Sequence, residues 1–213
     1  MTAHIVVILD RSGSMDTCRK ATVDGFDEFV KGQQAAEGDA TLTLVQFDDQ
    51  YEIIYKDKPV DDVVSIKDVY QPRDMTALYD AIGRTIVATK ESIVMKSKSQ
   101  QPDRVIFLII TDGYENASEE YTRPQIAKLV KEQEKGNWEF MFLGANQDAI
   151  FTGQSLGMKR GSSLTYDTTH TESVWMAANC KVAGYRGMTN DEMEELTSRA
   201  VDMFSEKDRK DLS

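Results

Sequence analysis

Cysteine and histidine are scarce in this chain, with two of each among 213 residues. Cys18 and Cys180 stand far apart and outside any C-x-x-C spacing, which excludes a disulfide framework. Both read as buried thiols, the ordinary fate of a free cysteine. His4 and His170 are isolated, and each reads as structural or surface rather than as a zinc ligand. Positive charge is also in deficit: 25 Lys and Arg face 36 Asp and Glu, a formal charge of −11. A chain of this sign lacks the cationic face that tracks a phosphate backbone, so nucleic acid is not its expected partner. No apolar run approaches the ~20 residues that cross a bilayer, and the first residues lack the basic region, apolar core and cleavage site of a secretion signal. The expectation is a cytoplasmic protein without a membrane segment.

Apolar residues make up 40% of the chain and aromatic ones 8%, the mixture of a folded protein rather than a disordered one. The length suits one domain with a two-sided core, plus an extension. Apolar and β-branched runs recur at 4–10 (HIVVILD), 41–47 (TLTLVQF), 104–112 (RVIFLIITD) and 138–144 (WEFMFLG). Runs this continuous suggest parallel strands covered on both faces. Helical spacing intervenes, with Cys18, Phe26, Phe29 and Val30 in one segment and Leu78, Ile82, Ile86 and Ile93 in the next. In a third, Thr122 and Gln125 form a capping box with Pro124 in the first turn, followed by Ile126, Leu129 and Val130.

This alternation predicts an α/β fold: a Rossmann-like, doubly wound, mostly parallel sheet with helices on both faces. One segment breaks the pattern. YEIIYKD (51–57) follows the second strand after only DDQ, too short for a crossover helix, so it is predicted to be an antiparallel edge strand. Weaker signals beyond residue 145 predict a helix at 147–157, a short strand at 162–166 and a helix at 171–182. Residues 1–183 are thus assigned to the domain and 184–213 to a C-terminal extension. The extension opens with a capping box, Thr189 to Glu192, and carries Met193, Leu196, Ala200, Met203 and Phe204 on one face of a predicted amphipathic helix. Such a helix either docks on its own domain or joins another chain, which would give a homo-oligomer.

Ligands of open α/β sheets gather at the carboxyl ends of the strands. Asp10 and Asp112 end the first and fourth predicted strands, so both carboxylates face one rim and repel unless a cation or proton intervenes. After the first strand the chain reads D-R-S-G-S. Asp10, Ser12 and Ser14 can turn toward one point if this loop curls, with Gly13 allowing a tight fold. By capping chemistry alone the serines could equally open a helix. Carboxylate and hydroxyl oxygens are hard donors suited to Mg²⁺ or Mn²⁺; Mg²⁺ takes six oxygens at about 2.1 Å and keeps several waters. A site with few charged ligands leaves the ion electrophilic and ready for a partner's carboxylate. Asp48, Asp49 and Glu115 are expected on the same rim, repelling acidic partners except close to the ion because screening limits their field to about 8 Å. Asn146, Gln147 and Asp148 are expected there too, to recognise a ligand or to cap the next helix.

These residues resemble the metal-ion-dependent adhesion site (MIDAS) of von Willebrand factor A-type (vWA) domains. That site combines a D-x-S-x-S loop, a threonine in a separate loop and an aspartate ending a later strand. The resemblance covers roughly residues 1–183 and is closest to small cytosolic domains of bacteria and their phages. It implies a vWA fold and a metal site of Asp10, Ser12, Ser14, Thr76 in RDMTALYDAI, and Asp112 in IITDG. Thr76 precedes a predicted helix and also fits an ordinary N-cap. The resemblance further implies that the serines and threonine touch Mg²⁺ or Mn²⁺, that the aspartates act directly or through water, and that a protein partner supplies an Asp or Glu.

The leading expectation is therefore a metal-dependent protein-binding module and not an enzyme. An assembly or scaffold subunit, acting through its C-terminal helix around a structural metal, is the alternative. A metal-dependent phosphoesterase has less support. Haloacid-dehalogenase-like phosphatases need a second aspartate two residues after the first, where this chain has Ser12; no histidine lies near Ser12 or Ser14, and no G-x-x-x-x-G-K-[ST] loop occurs.

Overall fold

The structure, a computed structural model, describes every residue except 137, 146, 147, 190, 193, 194, 196–201 and 213. Six strands, β1 (Thr2–Asp10), β2 (Asp39–Phe47), β3 (Tyr51–Pro59), β4 (Arg104–Thr111), β5 (Trp138–Ala145) and β6 (Ser163–Tyr166), form one sheet in the order β3-β2-β1-β4-β5-β6. All neighbours are parallel except β2 and β3, which pair as a hairpin across Asp48–Gln50. The three-residue spacing thus gives the antiparallel edge that it predicted. Side chains on β1 alternate: Ile5, Val7 and Leu9 enter one core cluster, Val6 and Ile8 the other, as the two-residue period of a strand requires.

Helices α1 (Arg19–Ala35) and α5 (Thr171–Gly187) cover the first face through Phe26, Phe29, Val174, Trp175 and Val182. The ring of Trp175 meets Phe26 edge-on at 5.8 Å. Gly25 makes this approach possible, since a Cβ there would lie 2.2 Å from the indole. Helices α2 (Leu78–Met95), α3 (Arg123–Gln133) and the short α4 (Ala149–Ser155) cover the second face through Leu78, Ile82, Ile86, Ile126, Val130 and Ala149. The Thr122–Gln125 capping box opens α3 with Pro124 in its first turn.

Two expectations change. Cys18 is buried but Cys180 is exposed: the inward stripe of α5 includes Ala178 and Val182, and position 180 lies about 200° round the helix from 178. The Thr189–Glu192 capping box forms, with the Glu192 carboxylate accepting from Thr189 N at 2.7 Å. Met193, Leu196 and Ala200 lie outside the described residues. Met203 and Phe204, however, are not on a helix. They sit in the core of the first face, Phe204 with no exposure, and a separate helix α6 (Glu206–Leu212) follows. Ser205 caps α6 reciprocally with Asp208, so a helix opens here, beyond the apolar stripe that the sequence pattern read. Arg209 then donates to Ser163 O at 2.6 Å and Asp167 N to Leu212 O at 3.2 Å, so this segment packs along β6. None of the described helices is long and apolar enough to cross a membrane.

Candidate metal site

Asp10 is the last residue of β1 and is fully buried. β1 and β4 are adjacent and in register at Leu9 and Ile110, so the residue beside Asp10 is Thr111, not Asp112. β4 ends at Thr111, one residue earlier than the sequence suggested, and Asp112 begins the loop. Thr111 donates its hydroxyl to Asp10 Oδ2 at 2.5 Å, and the backbone N–H of Ser12 donates to Asp10 Oδ1 at 2.6 Å. Ser12 is extended and enters a 3-10 turn (Gly13–Cys18) without capping it by its side chain. Its Oγ lies 3.2 Å from Ser14 Oγ, and Ser14 donates to Asp112 Oδ1 at 2.6 Å.

Thr76 arrives from the segment before α2. Its hydroxyl does not cap that helix. Glu115 performs the capping instead, its Oε2 accepting from Tyr79 N at 3.0 Å while Ser118 Oγ accepts from Asp80 N at 3.1 Å. Glu115 also accepts from Ala117 N and Ser118 N, so the carboxylate expected to repel partners is engaged in holding the α2 N-terminus. Thr76 N donates to Asn116 Oδ1, and Thr76 O accepts from Asn116 N and Ala117 N at 3.0 and 3.2 Å. These bonds press the Thr76 segment against the loop after Asp112.

Gly113 marks where the segments converge. A Cβ on it would lie 2.8 Å from Thr76 Oγ1, 3.4 Å from Ser12 Oγ and 3.5 Å from Asp10 Oδ2. Oxygens from two segments distant in sequence, the Asp10–Ser12 loop and Thr76, therefore border one small space beside Gly113 that only glycine leaves open. Gly13, to which the sequence assigned that need for a small residue, has no such constraint: a Cβ there would meet only Asp74 atoms, the nearer at 3.6 Å, and its φ is not positive. All five expected residues are thus brought to one place. Burial pushes the Asp10 carboxyl up to about 6, against the pull of its bonds to Thr111 and Ser12, and the nearby charge of Asp112 adds to the rise. Burial also raises Asp112, with the Ser14 hydroxyl pulling it back. Two partly desolvated carboxylates so placed favour a cation between them.

Several residues absent from the sequence reading position this site. Tyr70 donates its phenol to Asp10 O at 2.7 Å, Arg73 N to Arg11 O at 2.7 Å, and Gly13 N to Asp74 O at 3.1 Å. Asp74 itself adopts φ +59, a left-handed conformation that aspartate tolerates better than most residues. Asp48, expected as a free rim charge, is fully buried between Arg11 Nε at 2.9 Å and Arg73 Nε at 2.8 Å. Burial would raise its carboxyl, but Arg73, the N–H of Gln50 and Arg11 together hold it below the ordinary range. Arg11 also pairs with Glu52. The hairpin thereby ties the D-R-S-G-S loop to the Thr76 segment. No local pattern announces this; the only signal is a buried-strand end followed by DDQ. Of the three residues expected after β5, Asn146 and Gln147 lie outside the described residues, and Asp148 caps α4 by accepting from Phe151 N at 2.9 Å.

His4 is structural. It is buried, with Nδ1 2.7 Å from Thr41 Oγ1 and Nε2 3.4 Å from Asp57. Burial lowers its pKa to about 4, against the pull of Asp57.

No family model and no curated protein sequence matches the chain. Solved structures share its fold. Proximal thread matrix protein 1 from the mussel byssus, solved with a zinc-occupied MIDAS motif, superposes with a TM-score of 0.58 at 15% identity, covering 83% of this chain and 46% of its own. A von Willebrand factor type A protein from Catenulispora acidiphila gives 0.59 at 13% identity, covering 86% and 43%. BatB from Bacteroides thetaiotaomicron gives 0.59 at 14%, covering 87% of this chain and 100% of its own. The chain therefore spans less than half the length of the mussel and Catenulispora proteins. A mostly parallel six-stranded sheet with one antiparallel edge, helices on both faces and superposition on these proteins together establish that this chain has the vWA fold.

Proposed function

We propose that the chain is a vWA domain whose MIDAS holds Mg²⁺ or Mn²⁺ and captures a carboxylate from a protein partner, without catalysis. The observation that carries this reading is the space at Gly113, bordered by oxygens of Asp10, Ser12 and Thr76 and linked through Ser14 to Asp112. The donors are hydroxyls and carboxylates only, a hard set that suits Mg²⁺ or Mn²⁺ better than zinc, which is drawn to nitrogen and sulfur. Ser12, Ser14 and Thr76 would hold the ion, with Asp10 and Asp112 supplying negative charge directly or through water. The bound ion supplies a Lewis-acidic point that a partner's Asp or Glu satisfies. The chain's own residues fix the hydroxyls beforehand: Tyr70, Arg11, Asp48 and Arg73 lock the loops, and Glu115 holds the start of α2.

The scaffold alternative needs an apolar tail face free for another chain. Met203, Phe204 and Leu212 are instead buried on this domain, which favours the metal site as the binding element. The test is affinity capture in Mg²⁺ with elution by EDTA, alongside thermal denaturation with Mg²⁺, Mn²⁺ and Zn²⁺. The wild type should be stabilised by Mg²⁺ or Mn²⁺ and release its partner in EDTA, and Asp10→Ala should do neither while keeping its circular dichroism. Capture that persists in EDTA and in Asp10→Ala would reject the proposal.

A further inference from the structure

Met75 and Tyr114 are both large, apolar in their main part and exposed, at 55% and 66%. Each adjoins a residue that borders the metal space: Met75 precedes Thr76, and Tyr114 follows Gly113. Thr76 and the loop after Asp112 are joined by three hydrogen bonds, and a Cβ on Gly113 would lie 2.8 Å from Thr76 Oγ1. Both side chains are therefore carried on abutting loops at the mouth of the space. Exposed methionine and tyrosine are the types that recur in the buried centres of protein interfaces. Nothing about holding a cation requires them.

The charge beside Met75 narrows the occupant. Asp48, Asp49 and Asp74 place carboxylate oxygens within 4.8 Å of one another. With Glu52, they set four carboxylates against the two guanidiniums of Arg11 and Arg73. Asp48 is neutralised by these arginines, so Asp49 and Asp74 dominate the exposed side. A partner with a second acidic residue there is repelled, and a basic one is favoured.

Resting on the carboxylate-capture reading, we propose that the preferred ligand is a protein segment in which a single Asp or Glu has a large apolar neighbour, with Lys or Arg on the Asp74 side. The carboxylate completes the metal shell, and the apolar neighbour packs on Met75 and Tyr114. The discriminating experiment uses fluorescein-labelled peptides, read by polarisation in saturating Mg²⁺: Lys-Leu-Asp-Leu and Lys-Ser-Asp-Ser cores in identical glycine-serine frames. Wild type should bind the leucine-flanked peptide at least tenfold more tightly, about 1.4 kcal/mol. The double variant Met75→Ser, Tyr114→Ser should lose that preference while keeping its Mg²⁺-induced thermal shift, which also verifies its fold. Tyr114→Phe should retain the preference. Equal binding of both peptides by wild type, dependent on Mg²⁺ and Asp10, would overturn this inference and leave carboxylate capture standing. Binding that ignores Mg²⁺ and Asp10→Ala, or no binding of either peptide, would overturn both.

Discussion

Gly113→Ala separates the stability of this fold from the use of its metal site. The added methyl would lie 2.8 Å from Thr76 Oγ1 and 3.4 Å from Ser12 Oγ, so on the proposed reading it would fill the cation's space and push on Thr76. The backbone at this position does not have positive φ, so the cost of alanine is the side-chain crowding rather than backbone strain. Replacing glycine there restricts the unfolded chain, a gain of about 0.4–1 kcal/mol that offsets part of the local crowding. Without metal the variant should therefore melt within a few degrees of wild type.

With metal the two should diverge. At Mg²⁺ concentrations about 100 times Kd, linkage stabilises the wild type by about 2.7 kcal/mol. At about 2–4 °C per kcal/mol for a chain of this size, that is a rise of about 5–10 °C. The variant should show little or none of it. Differential scanning fluorimetry across a Mg²⁺ titration, with calorimetric titration of the same samples, reads both quantities. A full wild-type shift in Gly113→Ala would refute the idea that this space is the cation's seat. A collapse of the metal-free fold would instead show that crowding against Thr76 outweighs the entropic gain.

Three further outcomes follow from neighbouring geometry. Asp48→Asn takes from the buried Arg11 its fully buried carboxylate partner, leaving it only the half-exposed Glu52, and should cost up to about 3–5 kcal/mol in urea denaturation; it should also weaken Mg²⁺ binding, because Arg73 loses the same anchor, and an affinity left intact would show that the hairpin does not position Thr76. His4 has its pKa lowered from 6.5 to about 4, so the folded state binds fewer protons than the unfolded state between those values: stability is full above 6.5 and falls as the pH drops toward 4, by up to about 3 kcal/mol. His4→Asn should flatten that part of the profile, and an unchanged slope would assign the loss elsewhere. Phe204→Ala empties a buried site in the first-face core and should cost about 3–5 kcal/mol by chemical denaturation, whereas a cost under 1 kcal/mol would show that the tail segment contributes little packing.

The strands were legible because a sheet covered on both faces demands nearly continuous apolar residues, and Ile5–Leu9 and Val105–Ile110 meet that demand without interruption. The hairpin was legible because DDQ has room for nothing else. Asp10, Ser12 and Ser14 announced themselves by alternate spacing, a local signal. The boundary of β4 was less secure, since Asp112 continues the apolar run in sequence while Thr111 is the last residue to pair. What the sequence hid is what depends on long-range closure. Glu115 caps a helix 36 residues earlier in the chain, Asp48 is neutralised by Arg11 and Arg73 at separations of 37 and 25 residues, and Tyr70 reaches Asp10 across 60. A carboxylate in a loop reads as a free charge until the chain brings it a partner. The tail misled for the reverse reason: Met203 and Phe204 keep helical spacing with residues before them in sequence, yet both lie outside a helix with their side chains in the core, and a helix opens only after the Ser205 cap.

The hydrogen-bond directions at the site bear on how it works. A hydroxyl that ligates a cation with its oxygen must send its proton elsewhere, and a buried proton with no acceptor is costly. Ser14 already directs its proton to Asp112, so the Ser12 hydroxyl donates to Ser14 and one lone pair of Ser14 is left free. Asp10 is held from two sides, by Thr111 and by the Ser12 N–H, so each of its oxygens has one lone pair committed and one remaining. Asp112 is thus the proton acceptor that would let Ser14 serve as a ligand, and Asp10 a charge whose orientation is already set by its two hydrogen bonds. On the proposed reading, hydroxyls at the metal with the carboxylates acting through them or through water would leave the ion short of direct negative charge. That shortage, set by the chain's own hydrogen bonds, is what would draw a carboxylate from another protein if the proposed function holds.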